Sequence, residues 1–264
     1  SVKKSELSLE KDCIHTVDYL EQRDDYGTTV NATLATGFRL EPQEAKGYLA
    51  PYVKYLPIPV LLNGENLSQT SVVLTEVGEK GEKIEGKVRE KNISFDYQLA
   101  FNTHSNVLPQ IYIENIVLNN MVEKGFICLK ASEPTLYGLR NYFGLAPVPV
   151  SSAFNFGGVV NLASLTPTAG REAVSRFSIH TIAAIVRKAD EVVARAIAVN
   201  DVADQCRELI VYIKNNRCYE LANNIRITVC GTEERMKLGD VAPVVDGKEI
   251  SYYEGRDKQI QNNH

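Results

Sequence analysis

The sequence predicts an α+β fold, in which a mixed β-sheet is layered with helices and is followed by a small helical bundle. Two runs of alternating apolar and polar residues, 93–101 and 110–118, predict neighbouring strands, and 125–130 is a third candidate strand. Downstream, apolar residues recur at helical spacing from Ile182 to Ile213, which predicts helices whose apolar stripe is core. With 264 residues, of which 44% are hydrophobic, the chain can bury a substantial core in one large domain or two smaller ones.

The first 40 residues contain two β-rich runs, 13–20 and 28–36, which are separated by a polar turn at 21–27. This order is typical of a β-hairpin. Residues 1–40 are therefore expected to form a hairpin or a lead-in strand that precedes the main domain.

Residues 41–62 predict a helix followed by a strand. The proline and acidic residues of 41–44 are helix-start signals, and Pro51 is expected to end or kink the helix. The apolar run 58–62 predicts a short buried strand, which stops at the turn pair Asn63-Gly64.

Two later segments predict irregular structure. Residues 76–92 alternate charges around three glycines, which indicates an exposed flexible loop or a mobile hairpin end. Residues 145–158 are rich in proline, glycine and small side chains and predict a covering loop anchored by Phe154 and Phe156. A sharper hypothesis is that these two phenylalanines form a surface for apolar partners.

The end of the chain predicts further helix and strand. A short helix is expected near 217–223, within a helical bundle that spans 173–224. Two strands, 225–230 and 249–253, are expected around a loop that contains Gly239 and Asp240. These boundaries divide the chain into an α/β domain at 41–172, the bundle, and the start of a second small α/β unit at 225–264.

Composition and charge exclude several classes of function. The net charge is −4 and basic residues are interspersed with acidic ones, so no nucleic-acid partner is expected. No run of about 18 apolar residues and no signal peptide are present, so no membrane contact is expected and the location is predicted to be cytoplasmic. The five cysteines are scattered, which indicates free thiols, and the four histidines lack ligand spacing, so no metal site is predicted. The missing initiator methionine predicts a fragment of a longer protein.

The loop 166–172 joins the strand-rich part of the chain to the helical part. Pro167 disfavours helix at the residue before it, Gly170 permits an unusual backbone turn, and Glu172 suits the positive end of the helix expected next. Arg171 is therefore expected at a helix start, facing outward, where a cation beside exposed amides favours a phosphate partner. The alternative is that Arg171 pairs with a nearby carboxylate.

The motifs of self-contained enzymes are absent from the sequence. There is no G-x-S-x-G, G-x-x-x-x-G-K-[ST], G-x-G-x-x-G or H-E-x-x-H pattern. A single well-held arginine can nevertheless stabilise the charge that develops on the phosphoryl group of a nucleotide bound elsewhere.

Residues 158–172, GVVNLASLTPTAGRE, resemble the G-V-V-D-S-x-D-L-P-L-N-x-S-R-E stretch of the ninety-kilodalton heat-shock chaperones, the HtpG-like ATPases. Residues 27–34 are similar to the strand that closes the ATP-binding domain in the wider GHKL superfamily. Residues 43–62 resemble the helix and strand that enter the family's middle segment. Two further segments, 237–241 and 250–253, resemble family elements in the same order.

The resemblance implies a middle, or transducer, domain with an α/β sandwich of the ribosomal-S5-like type. Residues 1–40 would then close an upstream ATP-binding domain, which is absent here and would hold ATP and Mg²⁺. By position, Arg171 matches the family arginine that reaches the γ-phosphate, with Thr168 and Gly170 as further cofactor-binding residues. The expected partners are the upstream domain and client proteins, the latter at Phe154 and Phe156.

In the family the parent protein is an ATPase and a homodimer, and a fragment without the upstream domain would be inactive. Two departures weaken the match. The asparagine before the arginine is replaced by Thr168 or Ala169, and the glutamine four residues after it is Ser175. The alternatives are the transducer domain of a DNA-handling GHKL ATPase and a non-catalytic module in which helices between 173 and 213 present a docking face.

Overall fold

The computed structural model describes residues 2–9, 15–23, 37, 39–78, 81–103, 107–168, 173–228 and 234–245. The chain divides into two compact units, Ser1–Glu41 and Pro42–His264. The division falls next to the predicted boundary between residues 40 and 41.

The first unit contains an antiparallel hairpin of β1 (Val2–Leu9) and β2 (His15–Arg23). The strand predicted at 13–20 overlaps β2, but its described partner is β1, and the predicted partner 28–36 lies outside the described residues. The polar residues 21–23 were expected in a turn and instead extend β2. Backbone pairing with β1 satisfies part of their amide and carbonyl groups, which outweighs their low strand propensity.

The second unit contains the other helices and strands. In chain order these are α1 (Pro42–Val53), β3 (Leu61–Leu62), β4 (Glu65–Asn66), β5 (Gly81–Arg89), β6 (Ile93–Asn102), β7 (Gln110–Leu118), β8 (Met121–Glu123), β9 (Gly125–Lys130), β10 (Leu136–Arg140), β11 (Phe143–Pro147), β12 (Gly157–Leu162), α2 (Arg176–Ala198), α3 (Arg207–Asn216), β13 (Arg226–Thr228), β14 (Arg235–Lys237) and α4 (Leu238–Val245).

An eight-stranded mixed sheet forms the centre of this unit. Its strand order is β11-β10-β12-β9-β7-β6-β5, and β8 pairs with β7 off this path. The pair β10 and β12 is parallel, whereas the other described neighbours are antiparallel. The predicted α+β fold with a mixed sheet is confirmed, as are the strands expected at 93–101, 110–118 and 125–130.

One face of the sheet carries α2 and α3. The apolar stripe predicted along these helices is core, because it packs against inward-facing residues of the strands. Each such side chain contributes roughly 1.5–3 kcal/mol when fully buried. Core residues with no more than 1% exposure include Phe95, Leu99, Phe101, Ile111, Ile113, Ile127, Leu129, Val160, Ile182, Ile185, Val186, Ala189 and Val193.

The helix predicted after residue 41 is confirmed as α1, with Pro51 inside its last turn. The buried strand expected at 58–62 is wrong, because only two residues form β3 and Leu61 is 62% exposed. The turn at Asn63-Gly64 is confirmed. Its φ angles of 50° and 86° suit the tight β3–β4 hairpin.

The flexible loop expected at 76–92 is wrong for residues 81–89, which form β5 and pair with β6 along their whole length. β5 is the last strand on its side of the sheet. Charged side chains are common on such edge strands because they discourage pairing with other chains. The charge pattern therefore reflects an edge position and not a lack of structure.

The loop predicted at 145–158 is shorter than expected, because β11 continues to Pro147 and β12 begins at Gly157. Near the end of the chain, the short helix is a 3₁₀ turn at Tyr219–Ala222, and the strand at 225–230 is present as β13. Gly239 and Asp240 lie in α4 and not in a loop, while 249–253 lies outside the described residues. Among the described residues, no helix has the length and apolar character needed to cross a membrane.

Candidate functional site

Strand β12 leads directly into the loop that the sequence singles out. All six residues of the strand are buried, between β9 on one side and β10 on the other. Immediately after it, the Ala163 N–H donates to the Lys124 carbonyl at 2.9 Å and the Ser164 N–H donates to Glu123 Oε1 at 3.0 Å. The chain is therefore fixed to the neighbouring hairpin before the loop begins.

Backbone pairing closes the loop at its base. Pro167 and Val174 form an isolated antiparallel bridge, and the Thr168 N–H donates to the Ala173 carbonyl at 2.8 Å. The two ends of the loop consequently lie side by side. Only the four residues 169–172 connect them.

Three hydroxyl side chains join this base to the start of α2. Thr166 Oγ1 lies 2.8 Å from Ser175 Oγ, and Ser175 Oγ donates to Ser178 Oγ at 3.1 Å. Ser178 is 3% exposed, and its Oγ also accepts from the Thr166 N–H at 3.2 Å. We refer to Thr166, Ser175 and Ser178 as the hydroxyl cluster. It fastens the incoming end of the loop to the first turn of α2.

Helix α2 begins later than the sequence predicts. The helix expected directly after Glu172 starts at Arg176, and its first turn contains no acidic residue. Ser175 is extended, with φ −61° and ψ 151°, and its side chain accepts from the Ser178 N–H at 3.3 Å as an N-cap. Ala173 and Val174 pair with Thr168 and Pro167, so the helix does not start at these two residues.

The predicted site residues have different outcomes. Arg171 and Gly170 lie outside the described residues, so their roles stay predictions. Thr168 is exposed, and its hydroxyl donates to the Ala173 carbonyl at 3.3 Å. This contact shows Thr168 bracing the loop base, and a role toward a cofactor stays a prediction.

Phe154 and Phe156 are core residues. They are 1% and 6% exposed, and their ring centroids lie 5.9 Å apart. Phe154 also stacks on Tyr212 of α3 at 6.3 Å. The prediction that these phenylalanines present a client-binding surface is therefore corrected, because the loop 148–156 turns both rings inward to cover the sheet and helices.

A buried carboxylate, which the sequence patterns above do not single out, holds this covering loop. Asp190 of α2 is 5% exposed and accepts from Ser152 Oγ at 2.6 Å and from the Ala153 N–H at 2.9 Å. Burial raises the pKa of Asp190, although these hydrogen bonds oppose the shift. The signal in the sequence is an aspartate between Ala189 and Val193, within the apolar stripe.

The hydroxyl cluster leads to a prediction about the loop. Ser178→Ala removes the hydroxyl that contacts both other members of the cluster, so the loop base should open more often. Loss of this hydrogen bonding should cost roughly 1 kcal/mol in the free energy of opening. Trypsin should therefore cleave after Arg171 about fivefold faster. Mass spectrometry of a short tryptic digest measures this rate. Thr181→Ala is the matched control, because among the described residues the Thr181 hydroxyl bonds only to the Phe177 carbonyl within α2, at 3.1 Å. Equal cleavage of both variants would contradict the assigned role.

Among the described residues, no group of three or more histidine, cysteine, aspartate or glutamate side chains could hold a metal ion. Comparison of the chain with protein-family models, with curated proteins and with solved structures finds no match.

Proposed function

We propose that this chain is the middle segment of an HtpG-like, ATP-dependent chaperone of the cytoplasm. In this proposal Arg171 acts on the γ-phosphate of an ATP molecule that an upstream domain binds together with Mg²⁺. The observation that carries the proposal is the closed base of the loop. It joins a fully buried strand to a capped helix whose apolar face is buried in the core.

Both ends of the loop are held in place by neighbouring residues. An arginine that stabilises charge on a transferring phosphoryl group must be positioned in advance, because reorganisation during the reaction would cost much of its effect. Here the bridge at Pro167 and Val174, together with the hydroxyl cluster, fixes both ends of the four-residue connection that contains Arg171. The first turn of α2 adds an electrostatic preference for anions nearby.

The surface beside the loop supports contact with another domain. Phe177 lies in the first turn of α2, beside the loop base, and is 76% exposed. An upstream domain that closes over the loop would cover it. Because Phe154 and Phe156 are buried, client contact is assigned instead to exposed aromatic residues such as Tyr48 and Phe143, which line a groove of 800 Å³.

The proposal is tested by adding the purified chain to the separately purified upstream domain of the same parent protein. We expect steady-state ATP hydrolysis to rise with the concentration of the chain and to saturate, because the chain supplies the missing cation. An equal concentration of an unrelated acidic protein is the control. No rise at any concentration would favour a non-catalytic interaction module, and a rise only with duplex DNA would favour a DNA-handling ATPase.

A further inference from the structure

The turn of the β3–β4 hairpin contains the single Asn-Gly pair of the sequence. Asn63 and Gly64 connect Leu62 to Glu65, whose backbones pair, and the φ angles of the two turn residues are 50° and 86°. Both turn residues are exposed, and a Cβ built on Gly64 would meet no atom within 4 Å. The turn is therefore open around both residues.

The groups of this turn that can react with each other are free. Within the described part of the chain, no hydrogen bond engages the side-chain amide of Asn63 or the backbone N–H of Gly64. The Gly64 nitrogen follows Asn63 directly in the chain, so its attack on the side-chain carbonyl carbon closes a five-membered ring. Such intramolecular reactions are favoured because the two groups are already close together.

Few contacts hold the hairpin in place. Each of its strands has only two residues, and Leu61, Glu65 and Asn66 are exposed. Ring closure requires Asn63 to leave its turn conformation. A hairpin that buries so little surface opens locally at a low cost in free energy, so the folded chain reaches the reactive conformation without unfolding globally.

Two other asparagines show what is particular to this turn. Asn119 and Asn141 are also exposed turn residues with φ of 50°. Asn119 is followed by Asn120, whose N–H forms no hydrogen bond among the described residues, so it differs from Asn63 chiefly in the side chain of the next residue. Asn141 is followed by Tyr142, whose N–H donates at 2.9 Å to the side chain of a buried asparagine. A free nitrogen without a neighbouring Cβ thus occurs only after Asn63 among these three turns.

We propose that Asn63 is a site of spontaneous deamidation. The Gly64 nitrogen gives up its proton and forms a bond to the side-chain carbonyl carbon of Asn63, while the bond from that carbon to the side-chain nitrogen breaks and ammonia leaves. Water then opens the resulting cyclic imide. Addition of water to the side-chain carbonyl gives aspartate at position 63, and addition to the backbone carbonyl gives isoaspartate.

Either product changes the hairpin. The chain gains a negative charge two residues before Glu65, which pairs with Lys46 of α1 at 2.5 Å. Isoaspartate also lengthens the main chain by one carbon atom, and strand register in a hairpin depends on the length of its turn. The pairing of β3 with β4 should therefore weaken. This inference involves neither the loop 166–172 nor a nucleotide, so its outcome is independent of the function proposed above.

The test follows the purified 264-residue chain during incubation at physiological temperature and neutral pH. A short tryptic digest places Asn63 and Asn119 in different peptides, and liquid chromatography with mass spectrometry separates the aspartate and isoaspartate forms of each. A side chain on the following residue restricts the backbone angles that permit ring closure, so Asn63 should react at least about tenfold faster than Asn119. Both products should form at position 63, and the rate should rise at mildly alkaline pH because the attacking nitrogen must lose its proton.

Gly64→Ala should slow the reaction to near the rate of Asn119. Alanine at a φ of +86° strains the turn and favours its opening, so a slower reaction would report the added Cβ and not a tighter turn. Gly47→Ala is the matched control, because Gly47 lies in α1 and a Cβ there meets no atom within 4 Å. It should leave the rate at Asn63 unchanged.

Three results would overturn the proposal. Equal rates at Asn63 and Asn119 would show that the turn gives no advantage. Aspartate without isoaspartate would indicate direct hydrolysis of the amide and not ring closure. An unreactive Asn63 in the intact chain, under conditions in which a synthetic peptide of residues 60–67 reacts, would show that the hairpin does not open locally.

Discussion

Replacing Arg171 with alanine in the full-length parent protein is expected to lower ATP turnover by about 10³-fold or more, which is the lower end of the effect of arginines supplied to phosphoryl groups from outside the nucleotide pocket. The affinity for ATP should change little, because in the proposed function an upstream domain provides most of the binding contacts. A fall in kcat with a nearly constant KM is the pattern of an interaction made only in the transition state. Steady-state kinetics over a range of ATP concentrations measures both constants.

Two further variants make this result specific. Arg176→Ala removes an exposed arginine at the first residue of α2, five positions along the chain, and should leave turnover within about twofold because surface charges contribute little. Arg171→Lys should recover only part of the lost activity, since a forked donor becomes a single ammonium group. Unchanged turnover of the Arg171→Ala protein would remove the role assigned to this residue.

A large effect on stability is expected at Gly158, in the centre of the sheet. Its φ is +114°, and a Cβ built on it would lie 2.2 Å from the Cys128 carbonyl oxygen on β9. Gly158→Ala therefore introduces both a strained backbone angle and a clash with backbone atoms that cannot move independently of the sheet. We expect a loss of roughly 4 kcal/mol or more in the free energy of unfolding. For a chain of this size that corresponds to a fall in Tm of about 10 °C.

Gly47→Ala is the matched control, and it should change the free energy of unfolding in the opposite direction. Gly47 lies inside α1, and a Cβ added there would meet no atom within 4 Å. Alanine in an exposed helix interior should raise stability by about 0.5–1 kcal/mol. Thermal and urea unfolding of the two variants would reveal the difference. Similar stabilities for Gly158→Ala and the unmodified chain would contradict the packing of β12 described above.

Local patterns in the sequence predicted those elements that bury one face. The alternation in 93–101 and 110–118 and the helical repeat between Ile182 and Ile213 appear as β6, β7, α2 and α3. In each case the spacing of the apolar residues indicates which side of the helix or strand faces the core. Burial of that side is the main favourable contribution to the free energy of folding. The turn at Asn63-Gly64 was predictable for a different reason, namely its residues' tolerance of positive φ.

Edge and covering segments could not be predicted in the same way. Residues 81–89 are rich in charged side chains and glycine, which is typical of an exposed loop, yet their backbone pairs with β6 and forms a strand. The residues around Phe154 are equally compatible with a surface position and with a core position. The core position results from a hydrogen bond between Asp190, 36 positions later, and the loop, which holds the loop over the helix layer. Such outcomes depend on partners distant in sequence.

The α+β class, the apolar stripe of the long helix and the position of the loop between strand and helix can be predicted from the residues alone, because all three follow from local periodicity and turn residues. Packing between distant segments is responsible for the remaining features. Backbone pairing and three hydroxyls close the base of this loop, and Phe154 and Phe156 are internal. Those features arise where segments from different parts of the chain meet, and their energies come from contacts that no single segment contains.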